Sequence, residues 1–228
     1  MTGTLINTAA IIAGSTIGLL LKKQFREELT NIVFQGLGLV TLFIGVAMAF
    51  RSQNWVILIL SVVTGAVIGQ LLNINESINR GGEKLKERLK IRQGQFIEGL
   101  VTAFLLFCMG SMTLLGALEE GISNNSELLI AKSVMDGFSS IALTAAMGIG
   151  VMFSIIPLII YQGGITLFAG SLYGVLSEPM IDEITAAGGI ILIGMGINIL
   201  DIKKIPVLNL LPALIMAACF YYLSGFLK

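Results

Sequence analysis

Residues 128–161 form an almost unbroken apolar run of 34 residues that still carries Lys132 and Asp136 near its start, Gly137, Gly148 and Gly150 along it, and Pro157 near its end. At about 1.5 Å of rise per residue, one straight helix of that length would reach roughly 50 Å, against a hydrocarbon core of about 30 Å. The run therefore overshoots a bilayer or breaks inside it. Lys132 and Asp136 stand four residues apart, on one helix face and within pairing reach. An ionisable group at membrane depth is costly unless it is partnered. Two readings of the pair stand open: an ion pair at the outer interface with Lys132 snorkelling to water, or a buried pair gating a polar cavity. Its Lys-before-Asp order is the less favourable helical direction, so local helix stability does not explain it.

Composition agrees with a membrane chain. Of 228 residues, 55% are hydrophobic and 12% charged, far below the charge content of an average soluble domain. Fourteen basic residues balance fourteen acidic ones, so net charge points to no nucleic-acid partner, and only the placement of charge is informative. The chain has no histidine, which removes imidazole metal ligands and Ser-His or Cys-His nucleophiles. Cys108 and Cys219 lie inside apolar segments and read as small membrane-buried hydrophobes without a disulfide. Ten methionines at ordinary spacing do not make a soft-metal site. No phosphate-binding glycine motif follows a strand, and no segment has the length of a separate soluble domain. We therefore expect no enzyme activity, no cofactor, no metal and no nucleic-acid partner.

Hydropathy places spans at residues 4–21, 30–50, 55–72, 96–118, 129–154, 158–176, 186–200 and 207–226. The fold expected is all-α, a polytopic bundle of about eight spans in one membrane domain. The first run is followed by Lys22, Lys23 and Arg26, so it reads as a retained span rather than a cleaved signal. Alternating the loops puts these three with Arg80, Lys84, Lys86, Arg88, Lys90, Arg92, Lys203 and Lys204 on one side, and Arg51, Lys132 and Lys228 on the other. This bias predicts that both termini are outside and that the 74–95 loop is in the bacterial cytoplasm. An extra crossing inside the central run would move Lys203 and Lys204 and weaken the bias. The basic loop, with Leu85, Leu89 and Ile91 near helical spacing, predicts a short amphipathic helix on the anionic leaflet.

An internal repeat appears when residues 7–20 are laid on 163–176: Ala13, Gly14, Ser15, Gly18 and Leu20 meet Ala169, Gly170, Ser171, Gly174 and Leu176. After a gap, Leu37-Gly38 through Gly45 corresponds to Gly188-Gly189 through Gly196. Residues 1–73 then form one copy and 158–228 the other, flanking the 74–95 loop and central helices at 96–157. With eight spans the copies point in opposite directions, the plan of many secondary transporters with sites at the repeat interface. The pairs Gly14 and Gly18, Gly65 and Gly69, and Gly170 and Gly174 each make a small face for close helix packing. Gly14 and Gly170, as equivalents, are expected to behave alike. The 186–200 span, with Gly188, Gly189, Gly194 and Gly196, is a candidate for partial unwinding, and Asn198 follows at its end.

Candidate polar positions are Lys132, Asp136, Glu98, Gln162, Asn7 and Asn198. Glu98 reads either as an interfacial partner of Arg92 or Lys90 or as a proton-coupling carboxylate at a pore mouth. Asn7 and Ser15, and Gln162, Thr166 and Ser171, begin the two repeat copies and are placed to line one cavity; interhelical hydrogen bonding accounts for them equally well. Phe107-Cys108-Met109-Gly110, Ala131-Lys132-Ser133 with Asp136, the glycine-rich 186–198 stretch, Ile205-Pro206 and Leu211-Pro212-Ala213 together resemble the YdfK/YqgA type of bacterial multi-pass membrane proteins. The resemblance covers nearly the whole chain and implies a bacterial inner-membrane protein; it carries over no catalytic or ligand residues. The function expected is transport of an unknown small solute or ion, and the alternative is a membrane scaffold acting through a homo-oligomer or a partner.

Overall fold

The structure is a computed structural model that describes residues 1–22, 27–88, 96–172 and 176–226. Helices α1 (Thr2–Lys22), α2 (Glu27–Ala49), α3 (Trp55–Leu71), α4 (Ile74–Arg88), α5 (Phe96–Cys108), α6 (Ser111–Ser123) and α7 (Glu127–Met147) come first. Four one-turn helices follow, α8 (Gly150–Phe153), α9 (Ile155–Leu158), α10 (Gly164–Leu167) and α11 (Ala169–Leu172), with a π-helix at Ile159–Gly163 between α9 and α10. Helix α12 (Glu178–Ile199), a 3-10 turn at Val207–Leu210 and α13 (Pro212–Phe226) complete the chain, with no strand among the described residues. Among the described residues five helical stretches are long and apolar enough to cross a membrane, or up to seven if each of two bent pairs is one span. Phe43, Leu71 and Phe138 are each more than 70% exposed, an outward display of large apolar side chains that suits lipid and not water.

Chain contacts divide into two compact units, one of Met1–Gly36 with Lys86–Val175, the other of Leu37–Leu85 with Leu176–Lys228. In the first, α1 lies along α7 with residue numbers rising together: Gly3 faces Leu129, Gly14 faces Gly137 and Ser140, and Gly18 faces Ile141 and Thr144. The two helices are therefore parallel. A Cβ at Gly14 would run into the Gly137 carbonyl oxygen, so only glycine allows this approach. Helices α5 and α6 meet at a bend of 62°. The bend occurs at Gly110, in extended conformation, and the Thr113 hydroxyl donates to the Phe107 carbonyl at 2.8 Å, holding a backbone oxygen at the break.

In the second unit, α2 and α12 run antiparallel: Gly38 meets Leu200, Gly196 meets Leu42, and Gly45 meets Gly189. Helix α3 runs antiparallel to α13, with Gly65 on Ala213 and Gly69 on Asn209. Glu183 of α12 is buried and gathers the α2–α3 turn, accepting from Ser52 Oγ at 2.7 Å and from the backbone N–H groups of Gln53 and Asn54 at 2.9 and 3.0 Å. Asn54 in turn caps α3. The expected helix of the basic loop is α4, bent 58° from α3. Leu89 and Ile91 lie outside the described residues, as does Gly174.

Three expectations are corrected. The central run breaks at Gly148, ahead of the expected break at 154–158, because its φ of 84° ends α7 in a conformation natural to glycine. Pro157 is absorbed by the short α9 turn instead. Helix α12 is continuous over 22 residues and is not unwound; Gly189 and Gly196 serve its close approach to α2. Finally, Gly170 does not pack like Gly14: it is exposed, and among the described residues nothing lies within 4 Å of a Cβ placed on it.

Candidate functional site

Thr4 and Asn7 share one face of α1, Lys132 and Asp136 share one face of α7, and the glycine contact at Gly14 brings these faces together. All four side chains are buried; Lys132 is 5% exposed and Asp136 7%. The ammonium of Lys132 donates to Asp136 Oδ2, and Asn7 Nδ2 donates to the same oxygen at 2.9 Å. Asn7 Nδ2 also reaches Gln162 Oε1 at 3.3 Å, while Gln162 Nε2 donates to Thr4 Oγ1 at 3.1 Å. The polar chain thus runs from Lys132 through Asp136, Asn7 and Gln162 to Thr4. Lys132 and Asp136 are thus paired with both side chains buried.

Gln162 enters from the π-helix, whose wider turn follows Pro157, a residue with no N–H to continue the α-helical ladder. On the other side Lys132 Nζ lies 5.9 Å from the centre of the Phe107 ring, so the α5–α6 break flanks the ion pair. The orientation of Asn7 follows from its neighbours: Asp136 Oδ2 and Gln162 Oε1 both accept, so the NH2 group faces them. That leaves Asn7 Oδ1 fully buried with no partner among the described residues. An orphaned amide oxygen is expensive in a dry interior and marks a place where a donor or cation belongs.

The other candidates lie elsewhere. Glu98 is half-buried in the first turn of α5, and Arg92 and Lys90 lie outside the described residues. Asn198 belongs to the other unit, where its amide donates to and accepts from Ile205 at 2.8 and 2.7 Å, closing the turn after α12. Ser15 and Thr166 are buried, and Ser171 is exposed. Both cysteines are free. Among the described residues no three His, Cys, Asp or Glu side chains gather as a metal site. Sequence reasoning missed Glu120, a buried carboxylate that accepts from Gly3 N at 2.6 Å and Ser126 Oγ at 2.7 Å and lies 3.2 Å from the Met1 amino group. It also missed Glu183. The signal was present in both: an acid set at or inside the end of an apolar helix.

Comparison with known proteins adds the lineage. No solved structure matches the chain. It is 34% identical over 220 residues to "Uncharacterized membrane protein YdfK" of Bacillus subtilis (strain 168), covering 95% of this chain and 93% of that one. It is 30% identical over 220 residues to "Uncharacterized protein YqgA" of Escherichia coli (strain K12), covering 94% of each. The family model "Protein of unknown function (DUF554)" matches residues 2–222, and the chain belongs to that family.

Proposed function

We propose that the protein is a transporter or channel for a small solute or ion in the bacterial cytoplasmic membrane and is not an enzyme. The observation that carries this reading is the Lys132–Asp136–Asn7–Gln162 chain, fully inside a helical unit with a lipid-suited exterior and flanked by a helix break and a π-turn. Ionisable groups at such depth are rare outside solute and ion pathways, and interrupted helices recur at transporter sites.

The helix directions support eight alternating crossings. Counting α5–α6 as one span and α8–α11 as another, α1 and α7 are first and fifth and run parallel; α2 and α12 are second and seventh and run antiparallel, as do α3 and α13, third and eighth. Merging α7 with α8–α11 would make α2 and α12 parallel. The glycine contacts also support an inverted repeat: in the sequence alignment Gly38 and Gly45 correspond to Gly189 and Gly196, and Gly45 touches Gly189 while Gly196 approaches Gly38. Such reciprocal contact is what a two-fold relation requires. The exposed Gly170 marks where the two copies diverge. With the basic loop and Lys203-Lys204 inside, both termini lie outside. A reporter fused after Lys228 should read external, and single cysteines at 74–95 should resist impermeant labels in intact cells; a cytoplasmic C-terminus would contradict the inverted plan.

Purified protein in liposomes should give solute-dependent flux above empty vesicles when a panel of small ions and solutes is screened. Flux at the empty-vesicle level throughout would favour the scaffold reading, for which the open Gly164 and Gly170 beside exposed Leu167 and Phe168 offer a face to a second copy.

A further inference from the structure

We propose that Asp136, Asn7 and the adjoining Gln162 and Thr4 oxygens form a binding site for a small monovalent cation, an alkali ion or ammonium, in which the Lys132 ammonium sits as a tethered competitor. The inference rests on reading the cluster as a working site and names its ligand class. The oxygen-bearing side chains meet from three elements, Asp136 of α7, Thr4 and Asn7 of α1, and Gln162 of the π-helix, joined at present through the Asn7 and Gln162 NH2 groups. Hard cations are held by carboxylate, amide and hydroxyl oxygens, and the cluster has all three kinds.

Charge fixes the valence. One carboxylate in a dry interior neutralises one positive charge; a divalent ion there would leave an uncompensated unit, which low dielectric makes costly. The structure already holds a monovalent cation on Asp136, the ammonium of Lys132. That ammonium leaves the buried Asn7 Oδ1 without a partner among the described residues, although Asn7 touches the same carboxylate. A freely placed ion can use that oxygen once the Asn7 amide turns it towards the carboxylate; an ammonium tethered four residues away does not. The cation and Lys132 therefore alternate on Asp136.

Removing the tether exposes the site. Thermal unfolding of detergent-purified Lys132→Met and Lys132→Gln is measured at fixed pH and ionic strength in choline, sodium, potassium or ammonium chloride; using two variants guards against one that folds poorly. At saturating sodium, potassium or ammonium the midpoint of at least one variant should rise by about 5 °C or more over choline. Adding Asp136→Asn or Asn7→Leu to that background should abolish the rise. Indifference of both variants to every cation overturns the proposal, as does a rise that survives Asn7→Leu. The binding readout needs no flux: a cation-dependent rise in a protein that moves nothing removes the transport reading and leaves the site, whereas flux without the rise removes the site alone.

Discussion

Asp136→Asn and Lys132→Met, made singly and studied in choline buffer, are each expected to destabilise the folded protein by about 3 to 5 kcal/mol. Each change strands the opposite charge in a place where Lys132 is 5% exposed and Asp136 7% exposed. Asn7 and Gln162 are neutral and offer no compensating charge. The combined Asp136→Asn/Lys132→Met protein should regain most of the loss, because two neutral side chains of similar volume need no counter-ion. Denaturant titration of the purified variants in detergent checks this. Losses of about 1 kcal/mol or less in both single variants would describe a wet, exposed pair instead.

Gly14→Leu and Gly170→Leu should differ sharply. At Gly14 the added side chain meets the Gly137 carbonyl and the Ser140 hydroxyl, and backbone does not move aside as a flexible side chain would. Overpacking of this kind costs about 1 to 3 kcal/mol. The α1–α7 contact that positions Asn7 against Asp136 opens with it, so function should fail even where the chain still folds. At Gly170 no described residue stands within 4 Å of an added Cβ, and the change should stay within about 0.5 kcal/mol. Expression level and unfolding midpoint of the two variants, measured side by side, decide the matter; equal damage at both positions would restore the equivalence suggested by the sequence repeat.

Hydropathy located the helices well because each apolar run must bury its backbone polar groups in a helix. The run expected at 4–21 is the helix Thr2–Lys22, and the run expected at 55–72 is the helix Trp55–Leu71. Where the central run breaks was less legible. Pro157 is the strongest breaker by composition, yet proline is tolerated in membrane helices, and it is the backbone conformation of Gly148 that ends α7. The glycines of α12 have the same composition whether they unwind a helix or admit a neighbour; only the presence of α2 against Gly189 tells the two apart.

In the site, Lys132 and Asp136 were visible through their four-residue spacing. Asn7 and Gln162 were singled out as polar residues at the starts of repeat copies. That Asn7 meets Asp136 across 129 residues of sequence is a tertiary fact that no local pattern encodes. Glu183 and Glu120 were passed over because an adjacent acidic pair near a helix end, Asp182-Glu183 or Glu119-Glu120, reads as solvated charge, although Glu183 lies more than a turn inside α12 and each of the two is no more than 2% exposed.

The claim that the buried pair belongs to a working site is tested most directly by flux through liposomes containing the Asp136→Asn/Lys132→Met protein, beside wild type and empty vesicles. Neutral partners satisfy a structural role, so the double variant should fold and insert like wild type and yet show flux at the empty-vesicle level. Wild-type flux from the folded double variant would contradict the account and reduce the pair to a packing element.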